Sequence, residues 1–136
     1  AQAVEVERHA GAPRVRAVHA VVDCGLVANP LHVHAQIEGA IAMGLSAVLA
    51  ERITLTEGRV DQRNYDSYRL LGMSAMPPVH VEVLPSTVDS FGGVGELAVP
   101  PVAPALCGAL QALDGVWRDT LPVAGDLDRG VGREGA

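Results

Sequence analysis

The stretch from Leu31 to Ala50 constrains this chain more than any other. Val33, Ile37, Ala40, Ile41, Leu45, Val48 and Leu49 recur at three- and four-residue steps. That is the repeat of one helix face, so the spacing predicts a helix from about Leu31 to Ala50 with a single buried stripe. Gly39 and Gly44 lie inside it. A glycine in a helix interior costs up to about 1 kcal/mol relative to alanine. Close approach of another backbone or a ligand is a reason to accept that cost.

A stripe of this kind needs a second layer to cover it, and the flanking sequence supplies strands. Val4-Glu5-Val6-Glu7-Arg8 alternates with a period of two, Ala10-Gly11-Ala12-Pro13 reads as a turn, and Arg14 to Val22 alternates again. Together they predict a β-hairpin. Ile53 to Thr56 reads as a short strand, turned at Glu57-Gly58-Arg59, with a return over Arg59 to Asp61. Asn64 to Tyr68 reads as a loop or short turn. Val79 to Leu84 alternates clearly and is read as a strand. Pro100-Pro101 opens a second helix over about Val102 to Leu113, since proline is tolerated in a first helical turn. Asp114-Gly115 ends it, and Leu121-Pro122-Val123 is a candidate last strand. The expected class is α+β: a mixed, mainly antiparallel sheet with two main helices packed on it. After Gly125 the composition shifts to Gly, Asp, Arg and Glu. Residues 125–136 therefore read as a disordered tail, leaving 1–124 as the domain.

Composition limits what such a domain does. Nearly half the residues are hydrophobic but only four are aromatic, so the core falls to Val, Leu, Ile and Ala. The net charge is −6, there is no Lys, and the ten Arg are scattered. A nucleic-acid surface needs clustered cations and is not expected. No apolar run reaches the length of a membrane span. Cys24 and Cys107 are too few and too far apart for a disulfide framework or a Cys-x-x-Cys knuckle, and read as small hydrophobes. The N-terminus, Ala-Gln-Ala-Val-Glu-Val, starts directly in strand pattern. Such a start is expected of a chain cut from a longer one, so it leaves the compartment open.

Four groups of residues invite a chemical reading. Gly92-Gly93-Val94-Gly95-Glu96 leads into Pro100-Pro101 and a helix. Glycine lets backbone approach a ligand, and a carboxylate held beside it is a candidate general base. From spacing alone an ordinary surface Glu on a strand-to-helix loop is the simpler explanation. Gln36 and Glu38 lie near the start of the first helix, where free N–H groups favour anions and an amide offers both donor and acceptor. They also read as an exposed amide and a carboxylate complementing the helix dipole. Asp23 and Asn29 are explained most cheaply as turn and cap formers. His32 and His34 fall at a helix start, where residues two apart diverge. They read as surface or capping histidines rather than as metal ligands.

The order of these pieces adds what no single one carries. Asp23-Cys24-Gly25, Asn29-Pro30, Gln36-Ile37-Glu38-Gly39-Ala40, Gly44-Leu45, Asn64-Tyr65 with Tyr68, Pro77-Pro78, Gly93-Val94-Gly95-Glu96 and Pro100-Pro101 through Leu106 resemble the C-terminal part of molybdenum hydroxylase large subunits. That family includes xanthine dehydrogenases and aldehyde oxidoreductases. The pattern, with its Pro-Pro-Val-Ala-Pro-Ala helix start, is most similar to the isoquinoline 1-oxidoreductase β-subunit type. The resemblance spans about Val4 to Val123. This chain has Leu97-Ala98 where the family usually has proline after the glutamate, Ala35 for a glycine before the glutamine, and Gly108 for an asparagine.

The resemblance implies a molybdenum–molybdopterin cofactor, in its cytosine dinucleotide form, in the complete enzyme, with none bound to this chain alone. It implies oxidation of an N-heterocycle or aldehyde with water as the oxygen source. Glu96 matches the catalytic general base, Gln36 matches a glutamine that contacts the pterin, and Gly93, Val94 and Gly95 bring backbone to the cofactor. The chain itself supplies no metal ligand. The implied partners are the remainder of the large subunit, a [2Fe–2S] small subunit and a small-molecule substrate, with self-association left open. A bacterial cytoplasm or periplasm fits equally. The alternative is a non-catalytic assembly subunit or remnant that uses the same scaffold to pair with another chain.

Overall fold

The computed structural model describes residues 1–123. The tail expected over 125–136 lies outside them. Strands β1 (Gln2–His9) and β2 (Ala12–Val22) form the expected antiparallel hairpin. Its turn is shorter than the sequence suggests: only Ala10 (φ 48°) and Gly11 (φ 88°) stand between the strands. Two successive left-handed residues match the twist of the strands they join. Pro13 is thereby drawn into β2, opposite Arg8. It is tolerated because β2 pairs with its other neighbour only from Val18 onward. The register slips between Glu5 and Val6, which face Ala17 and Val15 and leave Arg16 as the extra residue of a bulge.

Helix α1 (Pro30–Leu49) follows. Asn29 caps it, its side chain accepting from the His32 amide at 3.3 Å, and Pro30 fills the first turn. Next come two short paired strands, β3 (Leu55–Thr56) and β4 (Arg59–Val60), joined through Glu57 and Gly58. Asn64 to Tyr68 is a turn, closed by the Ser67 and Tyr68 amides on the Asn64 carbonyl. A 3-10 turn at Met73–Ala75 leads to β5 (Val79–Val83). This strand pairs parallel to β2, Val18 opposite Val79 through Val22 opposite Val83. The main sheet is therefore mixed, in the order β1-β2-β5. Helix α2 (Val102–Asp114) ends on Gly115, in the left-handed conformation (φ 77°).

Both helices cover the face carrying Val18, Ala20 and Val22. Ile37, Ile41 and Leu45 of α1 meet Val102, Leu106 and Leu110 of α2 in that core, each fully buried. The α+β class holds. One expectation does not: Leu121 to Val123 forms no strand. Instead the Val123 amide donates to the Val48 carbonyl at 2.8 Å. One of the last carbonyls of α1, which has no partner within the helix, takes that donor, and Val123 is buried beneath the helix end.

Candidate functional site

The Gly92–Glu96 loop is held at its start by the turn that precedes α1. Gly25 pairs with Phe91, the Leu26 amide donates to the Ser90 carbonyl at 2.8 Å, and the Gly92 amide donates to the Cys24 carbonyl at 2.8 Å. The two backbones are too close for side chains between them. A Cβ on Gly25 would run into the Ser90 carbonyl, and Gly25 is also left-handed (φ 68°). A Cβ on Gly92 would stand 2.7 Å from the Cys24 carbonyl. Asp23 accepts from the Gly25 amide at 3.2 Å. Asp23 and Asn29 thus do the turn and capping work expected of them.

The other end of the loop is held by α1 itself. The Val99 amide donates to the Glu96 carbonyl at 3.1 Å and the Val102 amide to the Val99 carbonyl at 3.3 Å. Gly44 faces this turn: a Cβ there would meet Val102 at 2.7 Å and the Val99 carbonyl at 3.2 Å. The reason anticipated for a glycine in the helix therefore applies at Gly44. At Gly39 a Cβ would meet no described residue within 4 Å, so no backbone approach among the described residues accounts for that glycine.

These two attachments bracket Gln36. It is exposed on α1, between the cap at Asn29 and the contact at Gly44, roughly 10–12 Å along the axis from each. Among the described residues no hydrogen bond joins Gln36 to residues 93–96. The candidate residues therefore sit on elements bound to one another but share no hydrogen bond. Within the loop, Val94 packs against the core, while Gly93, Gly95 and Glu96 are exposed. The Glu96 carboxylate makes no hydrogen bond or ion pair with a described residue, so none of these competes for its lone pairs.

A Cβ on Gly93 or Gly95 would meet no described residue within 4 Å, and neither glycine is left-handed. The loop's own conformation does not require glycine at either place. Backbone left bare on the open side leaves room for a group arriving from outside the chain. The donors offered are one amide, peptide backbone and one carboxylate. Among the described residues no three of His, Cys, Asp and Glu gather as metal ligands. This set suits a metal carried by its own organic ligand, and in that sense the site fits a pterin-bound metal. His32 is exposed and His34 half-buried at the start of α1.

One residue with a bearing on the loop escaped the sequence reading. Gln2, in β1, donates from Nε2 to the Ala98 carbonyl at 2.7 Å. The available signal was its place two residues before Val4 and four before Val6, a polar side chain in the core-facing series.

Comparison with known proteins gives a consistent result. A sequence profile of molybdopterin cofactor-binding domains matches residues 1–77, a span that ends before the Gly92–Glu96 loop. The beta subunit of isoquinoline 1-oxidoreductase from Brevundimonas diminuta is 37% identical over 109 residues, covering 80% of this chain and 14% of that protein. The nicotine 6-hydroxylase large subunit of Paenarthrobacter nicotinovorans is 29% identical over 79% of this chain and 14% of its own length. The crystal structure of quinoline 2-oxidoreductase from Pseudomonas putida 86 superposes on 83% of this chain and 15% of its own, with a TM-score of 0.74 and 28% identity. The chain spans about one-seventh of the relatives it matches.

Proposed function

The chain belongs to the molybdopterin cofactor-binding domain family of molybdenum hydroxylase large subunits, and we propose that residues 1–124 serve as the C-terminal part of such a subunit, with Glu96 as the general base. The reaction is hydroxylation of an N-heterocycle or aldehyde at carbon. A C–H bond is replaced by C–OH, water gives the oxygen, and two electrons and two protons are released. When bound, the molybdenum–molybdopterin group, in its cytosine dinucleotide form, supplies the two-electron redox chemistry. The electrons leave through a [2Fe–2S] subunit.

The residues of this chain bind, position and move a proton. Gly93, Val94 and Gly95 present bare backbone to the cofactor, and Gln36 offers an amide to its pterin. Glu96 accepts a proton from the water-derived oxygen at its free carboxylate, and its reach to that proton is set by the loop. The observation that carries this reading is the double attachment of the loop to the turn before α1 and to Gly44. It holds a carboxylate that no described residue pairs at the end of an open glycine backbone. Replacing Glu96 by Gln in the complete subunit and measuring turnover together with molybdenum content tests it.

The second reading, a non-catalytic assembly subunit, draws on the exposed apolar side chains. Leu31 and Met43 on α1 are 79% and 69% exposed, and Trp117 beyond α2 is 69% exposed. Such residues suit an interface with other polypeptide. The catalytic reading also needs that interface, because so much of the family's large subunit lies outside this chain. Full turnover by a large subunit carrying Glu96→Gln would favour the assembly reading alone.

A further inference from the structure

Gln2 occupies the core-facing side of β1, where Val4 and Val6 continue the series. Its Nε2 donates to the Ala98 carbonyl at 2.7 Å, joining positions 96 residues apart, and Ala98 is only 2% exposed. The Gln2 Oε1 is buried with no partner among the described residues. Turning the amide over would set two acceptors face to face, so the donor must point at Ala98. A buried amide oxygen without a donor is unfavourable. What the glutamine gains there comes through Nε2 alone.

The carbonyl of Ala98 and the amide of Val99 are two ends of one planar peptide group. Gln2 holds the carbonyl end. The amide end donates to the Glu96 carbonyl at 3.1 Å. A continuous relay therefore runs from the start of β1 through one rigid peptide to the backbone of Glu96. Bonds in such a chain polarise one another in the same direction. We infer that Gln2 is a positioning residue for Glu96: through the Ala98–Val99 peptide it sets the plane of the Glu96 backbone, and with it the direction in which the carboxylate leaves the loop. The relay is independent of what Glu96 does; its catalytic meaning rests on the function proposed above.

Gln2→Met keeps the length of the side chain and removes the donor. Gln2→Glu keeps the shape and opposes an acceptor to Ala98. Val6→Ala weakens the same face of the same strand without touching the loop, and serves as control. Native-state hydrogen exchange on the 136-residue chain reads the relay directly. The Val99 amide is expected to exchange at least about tenfold faster, relative to Leu106 in α2, in both Gln2 variants and not in Val6→Ala. Should Gln2→Met fail to fold, Gln2→Asn, one methylene shorter, is read in the same way. In the complete subunit Gln2→Met should lower kcat about tenfold with KM and molybdenum content unchanged, as a misplaced catalytic group does. Unaltered Val99 exchange overturns the relay. Faster exchange with unaltered kcat overturns the positioning role. If Glu96→Gln itself leaves turnover intact, the base reading falls and takes the catalytic meaning with it, while the Val99 result still reports on the relay.

Discussion

Gly44 of α1 lies against Val102 at the start of α2 so closely that a methyl group on it would stand 2.7 Å from Val102 Cγ2 and 3.2 Å from the Val99 carbonyl. Two opposing effects meet at such a residue. Alanine is the better helix former by about 1 kcal/mol, and overpacking a tight contact costs about 1–3 kcal/mol. At Gly44 the second should win, because the Val99 carbonyl is backbone and cannot rotate aside. Gly44→Ala is expected to destabilise the chain by about 1–2 kcal/mol in urea unfolding. At Gly39 a methyl group would meet no described residue within 4 Å, and Gly39→Ala should stabilise the same chain by up to about 1 kcal/mol. Opposite signs at two glycines five residues apart separate packing from propensity, and equal signs would contradict the contact.

The glycines of the loop should divide in the same manner. Gly25→Ala and Gly92→Ala both drive a methyl into facing backbone and should cost the chain at least about 1 kcal/mol, more at Gly25, whose φ is left-handed. Gly93→Ala and Gly95→Ala should leave the isolated chain within about 0.5 kcal/mol of its stability. Their effect is expected in the complete subunit, as a fall in molybdenum bound per chain. Normal metal content in both would remove the grounds for placing cofactor against this backbone.

Glu96→Gln keeps the side chain's size and removes its basicity. A general base contributes about 10²–10⁴-fold, so turnover in the complete subunit should fall by that order while molybdenum content stays near normal. Loss of metal along with activity would make Glu96 a binding residue instead.

The clasp after α2 gives an acid-dependent term. Arg118 grips both carboxylate oxygens of Asp114, at 2.7 and 3.2 Å, and the Val116 amide adds a third bond at 2.9 Å. The Arg118 guanidinium first, and the Val116 amide second, hold the Asp114 carboxyl at about 2, below its ordinary 3.8. A folded value below the unfolded one stabilises the fold fully above the unfolded value and is lost as pH falls through the folded one. The urea midpoint should therefore drop between about pH 4 and pH 2. Asp114→Asn should flatten that part of the curve.

Tyr68 predicts the reverse dependence at the alkaline end. Its hydroxyl donates to Glu51 Oε2 at 2.6 Å. That bond, then burial, then the nearby negative charge raise its pKa above the ordinary 10.0. The contribution is present below the ordinary tyrosine value and disappears as pH rises through the higher folded one. Ultraviolet titration should place the Tyr68 phenol above the ordinary 10.0. Glu51→Gln should bring it down, and an unchanged midpoint would mean the bond is not formed in solution.

Much of this architecture is written locally. The three- and four-residue steps from Val33 to Leu49 specify one helix face. The period-two runs around Ala10-Gly11 specify a hairpin, and Pro101 and Gly115 mark the limits of α2. Each depends on neighbours a few residues away, which is why the sequence alone determined the helices, the hairpin and the α+β class. The ordered motifs from Asp23 to the second helix likewise sufficed to identify the family.

What a strand pairs with is a different matter, because a period of two says which side is buried and nothing about direction or partner. Only the tertiary structure placed β5 parallel to β2, and turned Leu121 to Val123 from a candidate strand into a partner for the end of α1. The same holds at the candidate site. Gly92, Gly93 and Gly95 look alike in sequence, yet one is required by the Cys24 backbone and two face open space. Gln2 looks like a stray polar residue in a strand until the fold brings it, across 96 positions, to the peptide that binds Glu96. Local pattern encodes the elements; the contacts that aim a side chain are made between them, where sequence distance carries no information.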